Sequence, residues 1–507
     1  WLQGVLGAGA ATWLGGCLHR SSQSSRTKPW VRMPAQMSGV PAAELASGLQ
    51  VPRGFTASRL DAPGAEPRWS WPDRPGPAAA RAGRLRFCVA VDFREERRIE
   101  ARLARSNRLL GTFDVRYAYA FQPFELALDA AQVEAVLAEG VRLQVSPGSL
   151  PLWIFNGGEP PEAAGFFAPH LLQVESAADP RTEFLAQFAS RVSLQPFGWM
   201  EGCVLDGLQD LARSGLYPQA ESALEAHLGQ FLLPGGRLEY QDLRSRPVAD
   251  RFSGIESTLP MAVIAARRPE HPAVDRVLAF WTEHTRDGGI ICDGTTATAE
   301  GSYTIGYPLA VIAVQRQRVD LARAAVRQIL ARRDLLPVGR DLYLRAPLTG
   351  DGRTFRNWAR AYAWYQLGLT RVWCTLRASP WPDLPGLDEV QAEAARIAGE
   401  AVRLRQPNGL WTCFLDRPDT GIDTSGSAGI AAAFALGARE GLLDGRYLEL
   451  AREADRLLDG YLTPDGLLTG VAQHNAGGEA LQAGGYRVIS QMGMGLLAQV
   501  HAHVRRT

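Results

Sequence analysis

Two glutamates fall where a pair of acids could do chemistry. Glu256 lies in "FSGIESTLP" and Glu300 in "TAEGSYTIGYP", each at the expected start of a helix. Paired carboxylates are what glycosidic chemistry requires. One protonates the leaving oxygen, and the other serves a water molecule or the anomeric carbon. Either glutamate read alone is equally an N-terminal capping residue with no chemistry. A third chemical group sits in "TFRNWARAYAWYQLGL", residues 354–369, where Arg360 lies among Trp358, Tyr362 and Trp364. A guanidinium enclosed by rings needs a partner. A ligand carboxylate would give it a bidentate one, and so would Asp416 or Asp423 as an internal ion pair. Flat apolar rings suit the C–H face of a pyranose, which makes Trp199, Trp358, Trp364 and Trp411 candidate sugar contacts. In a helical protein the same rings also serve packing.

These residues recur at corresponding places in a repeated unit. From about residue 180 a charged amphipathic helix ends in a Gly-containing turn. A short strand-like piece follows, such as "LPGGRLEY", "RDGGIICDG" or "QPNGLWTCFLD", and then a second helix that is small or apolar nearly all round. The second helices are expected to start near Glu201, Ser253, Glu300, Trp358, Thr424 and Tyr486. Such spacing signals repeated supersecondary units. Six helical hairpins close into a ring with solvated outer helices and buried inner ones. The fold class expected is therefore mainly α, an (α/α)6 barrel over residues 180–507, preceded by a small N-terminal β-rich domain over 84–160. All inner N-termini then open onto one rim. Glu201, Glu256, Glu300, Tyr303, Arg360, Ser425, Ser427, Arg487 and Gln491 become its polar lining, and helix N-termini there favour an anionic ligand.

Strand patterns in "RLRFCVAVDF", "LLGTFDVRYAYAFQPFELAL", "VRLQVSPG" and "LPLWIF", with one short helix in "DAAQVEAVLAEG", define the β-rich segment. "NGGEPPEAAG" reads as a linker, and residues 1–80, rich in Pro, Gly, Ser and Ala, as a signal-like and largely extended or disordered segment. "WLQGVLGAGAATWLGGC" looks like a bacterial lipoprotein signal with Cys17 as the lipidated residue. The chain would then be periplasmic or lipid-anchored. With translation starting near Met33 or Met37 it would be cytoplasmic.

A formal net charge of +1 over 507 residues and the lack of Lys/Arg-rich runs argue against a nucleic-acid partner. No apolar run reaches transmembrane length. Arg far outnumbers Lys, as in GC-rich bacteria. The six cysteines, at 17, 88, 203, 292, 374 and 413, show no zinc spacing and read as buried thiols, with a disulfide left open. No metal or cofactor is expected. A homo-oligomer is compatible with the sequence.

"WARAYAW", "GLWTCFLDRPDTGIDTSGSAG", "LTPDGLLTGV" and "GWMEGCVLDGLQDLARSG" resemble motifs of the unsaturated glucuronyl and rhamnogalacturonyl hydrolases, glycoside hydrolase families 88 and 105. The resemblance spans roughly residues 180–507. It implies the same toroid and hydration of the C4–C5 double bond of an unsaturated uronate by rim aspartates. Ser253-Gly254-Ile255 stands where that family has D-x-I, with Glu256 the nearest carboxylate, and Glu300 stands at the second acidic position. Ala361-Tyr362-Ala363 replaces the family's Gly-Asn-Gly. A Glu pair in place of an Asp pair also resembles family 154, whose members remove saturated β-glucuronic acid. The function expected is removal of a terminal uronic acid from an oligosaccharide or glycoside. A lyase on the same toroid, with Tyr303, Tyr362 and Arg360 supplying base and neutralising charge, is the alternative, together with a non-catalytic sugar-binding protein. An epimerase would want histidine pairs, whereas only His474 falls in a rim loop.

Overall fold

The computed structural model describes residues 29–72, 81–175 and 179–506. Cys17 and the signal-like stretch lie outside them.

Twelve helices build a closed double ring. The inner six are α4 (Trp199–Ser214), α6 (Met261–Arg267), α8 (Tyr307–Gln315), α10 (Ala359–Arg377), α12 (Thr424–Arg439) and α15 (Gln491–Arg505). Each packs on the next, and α15 returns to α4. The outer six are α3 (Pro180–Phe188), α5 (Gln219–Phe231), α7 (Pro272–Glu283), α9 (Val319–Leu335), α11 (Leu387–Arg403) and α13 (Arg446–Leu458). Five of these back the inner helix just before them in sequence, while α3 backs α15 and closes the ring between its two ends. Small residues let the inner helices approach. A Cβ on Gly495 would lie 2.5 Å from the Cys203 carbonyl oxygen, and one on Gly207 would lie 2.6 Å from the Gly495 oxygen.

The N-terminal part is more extensive than its composition indicates. Strands β1 (Trp30–Pro34), β2 (Gln36–Ser38), β3 (Phe55–Arg59) and β4 (Arg68–Ser70) fall in the stretch read as largely extended or disordered. They join β5 (Gly83–Cys88), β6 (Phe93–Leu103), β7 (Leu109–Ala118), β8 (Pro123–Leu128), β9 (Val141–Val145), β10 (Trp153–Gly158) and β11 (His170–Val174). Two sheets result, ordered β1-β11-β5-β8 and β2-β4-β9-β6-β7, with β3 paired to β10. Helix α1 (Ala130–Glu139) starts on an Asp129 capping box and stops at Gly140, whose φ of 77° suits glycine. The "NGGEPPEAAG" stretch is not a linker. It forms the end of β10 and α2 (Pro161–Phe167), whose Ala163 and Ala164 are buried.

This β-rich layer is fused to the toroid rather than tethered to it. Phe55, Tyr119, Phe121, Phe155 and Phe167 share one apolar core with the helices. The buried Arg86 guanidinium holds Asp465 at 2.7 and 3.0 Å, which keeps that carboxyl well below the usual range. The loop between β7 and β8 lies over the inner ring, with Tyr119 Oη 2.7 Å from Ser490 Oγ and Gln491 donating to the Phe121 carbonyl at 3.1 Å. The five described cysteines are free. No helix among the described residues is long and apolar enough to cross a membrane.

Candidate active site

Glu300 enters the rim from the strand Thr296–Thr298 and is followed by a single π-helical turn, Ser302–Gly306, before α8. Glu256 sits on a one-turn 3-10 helix, Ile255–Ser257, ahead of α6. Consecutive hairpins thus present the two acids together. Burial raises the Glu300 carboxyl above its usual range, against the pull of the Arg345 and Arg360 charges. Its Oε2 is buried without a hydrogen-bond partner. Burial pushes Glu256 up to about 8, and the Glu300 charge adds to it. Two acids in one enclosed place cannot both ionise cheaply, so one proton is retained near neutrality.

Below them lies an aromatic floor. Arg360 is 2% exposed, with its guanidinium carbon 4.5 Å from the Trp358 ring and 6.0 Å from that of Trp199. Trp199 meets Trp364 edge-on at 5.5 Å, and Trp364 stacks on Tyr303 at 6.1 Å. The guanidinium donates through Nη2 to the Gln473 carbonyl, while Nε is buried without a partner. Neither internal partner expected from sequence reaches it. Asp416 is paired with Arg356 at 3.0 Å, and Asp423 caps α12 through the Ser425 amide at 3.0 Å. Among the described residues Arg360 makes no ion pair, and Glu300 feels its charge from beyond pairing distance.

A cleft of 280 Å³ lies beside Glu256, lined also by Ser253, Asp293, Arg345, His474 and Arg94 among others; it meets the floor at His474, and neither Glu300 nor Arg360 lines it. Five of these six lining residues, all but Glu256, were missed from sequence as site residues. Arg345 lies mid-strand, Arg94 comes from β6 some two hundred residues away, and Asp293 lies in the loop before Glu300. Asp293 accepts the Ile255 amide at 3.1 Å, so a carboxylate from the third hairpin lies against the Ser253-Gly254-Ile255 stretch. His474, noted only as a rim residue, stacks on Trp199 at 6.0 Å. Burial and the Arg94, Arg360 and Arg345 charges lower it to about 3, so it is neutral. Its Nδ1 accepts the Ala476 amide at 3.1 Å, leaving the proton on Nε2.

Other expected site residues point elsewhere. Glu201 is fully buried against the outer ring, 2.7 Å from His227 Nδ1 and accepting the Gln195 amide at 2.9 Å. Tyr362 is buried beside α11 and donates to Asn357 at 3.3 Å. Trp411 donates to the Ala401 carbonyl at 2.7 Å and packs edge-on against Phe434. Arg487 ties the 420–422 carbonyls to the start of α15. Ser427 hydrogen-bonds the Trp411 backbone. Tyr303 contributes its ring to the floor, but its hydroxyl turns down the axis to Asp206. No cluster among the described residues could hold a metal ion.

Residues 315–505 match Glycosyl Hydrolase Family 88. The matched segment includes Arg345, Arg360 and His474 and begins after Glu256 and Glu300. Among proteins of curated function none matches. Solved structures show the same fold. A family 105 glycoside hydrolase from Clostridium acetobutylicum aligns with a TM-score of 0.54 at 15% identity, covering 64% of this chain and 100% of its own. A possible family 105 member from Salmonella enterica aligns at 0.52 and 15% identity, covering 61% and 83%. One from Klebsiella pneumoniae does so at 0.52 and 15%, covering 61% and 82%. The motifs, the matched segment and the ring of hairpins agree: the chain resembles the family 88 and 105 hydrolases and is by class a glycoside hydrolase.

Proposed function

We propose that the protein is an exo-acting glycoside hydrolase that removes a terminal uronic acid, either β-glucuronic acid or its 4,5-unsaturated form, from an oligosaccharide or glycoside. The observation that carries the reading is Arg360, a buried guanidinium among tryptophans with no carboxylate among the described residues within pairing distance. A substrate carboxylate would complete it, and the dry aromatic surround would strengthen the pair.

Trp199, stacked on His474, and Trp364, stacked on Tyr303, wall the site and keep water from Arg360. The floor and the overlying β7–β8 loop close the inner end, which suits a chain terminus. Glu256, which lines the cleft, is the acid that protonates the leaving oxygen. Glu300 lies within the fields of Arg345 and Arg360 and is the carboxylate that serves water or the anomeric carbon. With an unsaturated uronate the same proton goes to the ring, and water adds to the double bond.

The lyase reading loses its bases. Tyr303 is raised well above its ordinary range by burial and by Asp206, and Tyr362 is raised by burial and lies outside the floor. The test is hydrolysis of an aryl β-glucuronide against the matched glucoside, alongside a lyase-generated unsaturated oligosaccharide. A preference for the acidic sugar is the expected result, and equal or better use of the neutral glycoside would refute the proposal.

A further inference from the structure

Arg345 occupies the centre of a three-strand patch at the rim. Its strand, Asp341–Pro347, alternates half-buried and buried residues, so Tyr343 and Arg345 share one face while Leu342, Leu344 and Ala346 face the core. On one side Arg345 is in register with Thr298, two residues before Glu300. On the other it is in register with Thr354, which opens the short strand leading to Trp358 and Arg360. The backbone of Arg345 is thus fixed relative to both an acid and the buried cation.

The side chain is held as well. Its guanidinium carbon lies 5.5 Å from the Phe355 ring, and that ring packs 5.4 Å from Trp358. Phe355 keeps a left-handed φ of 55°, and Asn357 one of 54°. A bulky residue in that region is strained and persists only where its surroundings fix it. Three side-chain bonds do so here. Phe355 N–H donates to Glu479, and Asn357 donates to Asp341 at 2.7 Å and to Asp416 at 3.1 Å.

What Arg345 lacks is a partner. It is half-buried, it lines the cleft beside Glu256, and among the described residues its side chain makes neither an ion pair nor a hydrogen bond. Two of the three other arginines of the cleft differ in this respect, and the third, Arg244, is exposed. Arg94 is held by Asp92 at 2.6 Å and Arg246 by Asp242 at 2.7 Å. Arg345 nevertheless lies close enough for its charge to act on Glu256, Glu300 and His474 together. A planar fork supported on a ring and facing an open cleft is suited to a carboxylate.

We propose that Arg345 is a second anion reader of this site, binding the carboxylate of an acidic sugar from the open side while Arg360 remains anchored to the Gln473 carbonyl. This deepens the uronic-acid reading and rests on it for the identity of the ligand. It adds a specificity-determining residue outside the WARAYAW motif.

The test is calorimetric titration of the full chain with D-glucuronate and with D-glucose, in wild type, Arg345→Gln and Arg345→Lys, with melting temperature as the folding control. Wild type should bind glucuronate in preference to glucose. Arg345→Gln should weaken glucuronate at least tenfold and leave glucose unchanged, with Arg345→Lys in between. Unchanged glucuronate affinity in Arg345→Gln overturns the proposal. So does a wild type that binds the two sugars alike or binds neither. If glucuronate binding depends on Arg345 but wild type cleaves no uronide, Arg345 stands as an anion reader and the hydrolase reading falls.

Discussion

Arg360→Lys separates charge from geometry at the floor of the site. The guanidinium carries five N–H donors. One goes to the Gln473 carbonyl, Nε is buried without a partner, and the plane lies 4.5 Å from Trp358. A lysine ammonium keeps the positive charge, but it cannot hold the Gln473 carbonyl and also present two parallel donors to a carboxylate. The loss expected is that of a hydrogen bond to a charged group, about 1.5–3 kcal/mol. At about 1.4 kcal/mol per decade this is about a ten- to hundredfold fall in kcat/KM, mostly in KM. Any general loosening of the floor affects neutral substrates equally, so the matched aryl glucoside is the internal control. The assay is the ratio of kcat/KM for the aryl glucuronide, or the unsaturated uronide if that is the substrate, to that for the glucoside. A ratio that stays at the wild-type value would make Arg360 a structural cation and remove the main support for a uronic-acid substrate.

Glu300→Gln and Glu256→Gln should each lower kcat by about 10²–10⁴-fold with the fold intact. Near-normal activity in Glu256→Gln would move attention to Asp293, which lies against the adjoining backbone. Glu256, pushed up to about 8, should give kcat/KM a descending limb near that pH as its proton is lost, and Glu256→Gln should abolish the limb. The same shift bears on stability. Between the ordinary carboxylate range and about 8 the folded protein holds a proton that the unfolded chain releases, so stability falls as pH rises through that window. Glu256→Gln should flatten this slope in melting temperature. Trp411→Ala should cost about 3–5 kcal/mol of stability as a core truncation and leave the uronide-to-glucoside ratio unchanged, because Trp411 faces α11 and Phe434 rather than the cleft.

The ring itself was legible because five of the six inner helices follow a short strand and several are apolar or small nearly all round. "GIAAAFALG" can only be packed on every side. What the repeat does not reveal is which face of a helix start meets the axis. At about 100° per residue, Tyr362 lies about 200° from Arg360 and Trp364 only about 40° from it, which is why the tryptophan joins the floor and the tyrosine turns outward. The same arithmetic separates Trp199, on the floor, from Glu201, which turns to His227 on the outer helix. Counting positions from the motif would have separated these pairs. Arg94 is different. It reaches the cleft through packing of the β-layer on the toroid, a long-range contact with no local pattern. The strands at 30–38 and 55–70 were hidden for a related reason. Their Pro- and Gly-rich composition resembles a linker, and they are ordered by pairing with β9, β10 and β11 far along the chain.

The most direct measurement supplies wild type and Glu300→Gln with an aryl β-glucuronide, an aryl β-galactoside, an intact uronic-acid polysaccharide and its lyase-generated unsaturated oligosaccharides. Wild type should release the aryl group from the glucuronide, or abolish the ultraviolet absorbance of the unsaturated terminal residue. It should leave the neutral glycoside nearly untouched, and Glu300→Gln should do neither reaction. Preferred turnover of the galactoside, or a new double-bond absorbance from the intact polysaccharide, would contradict the account.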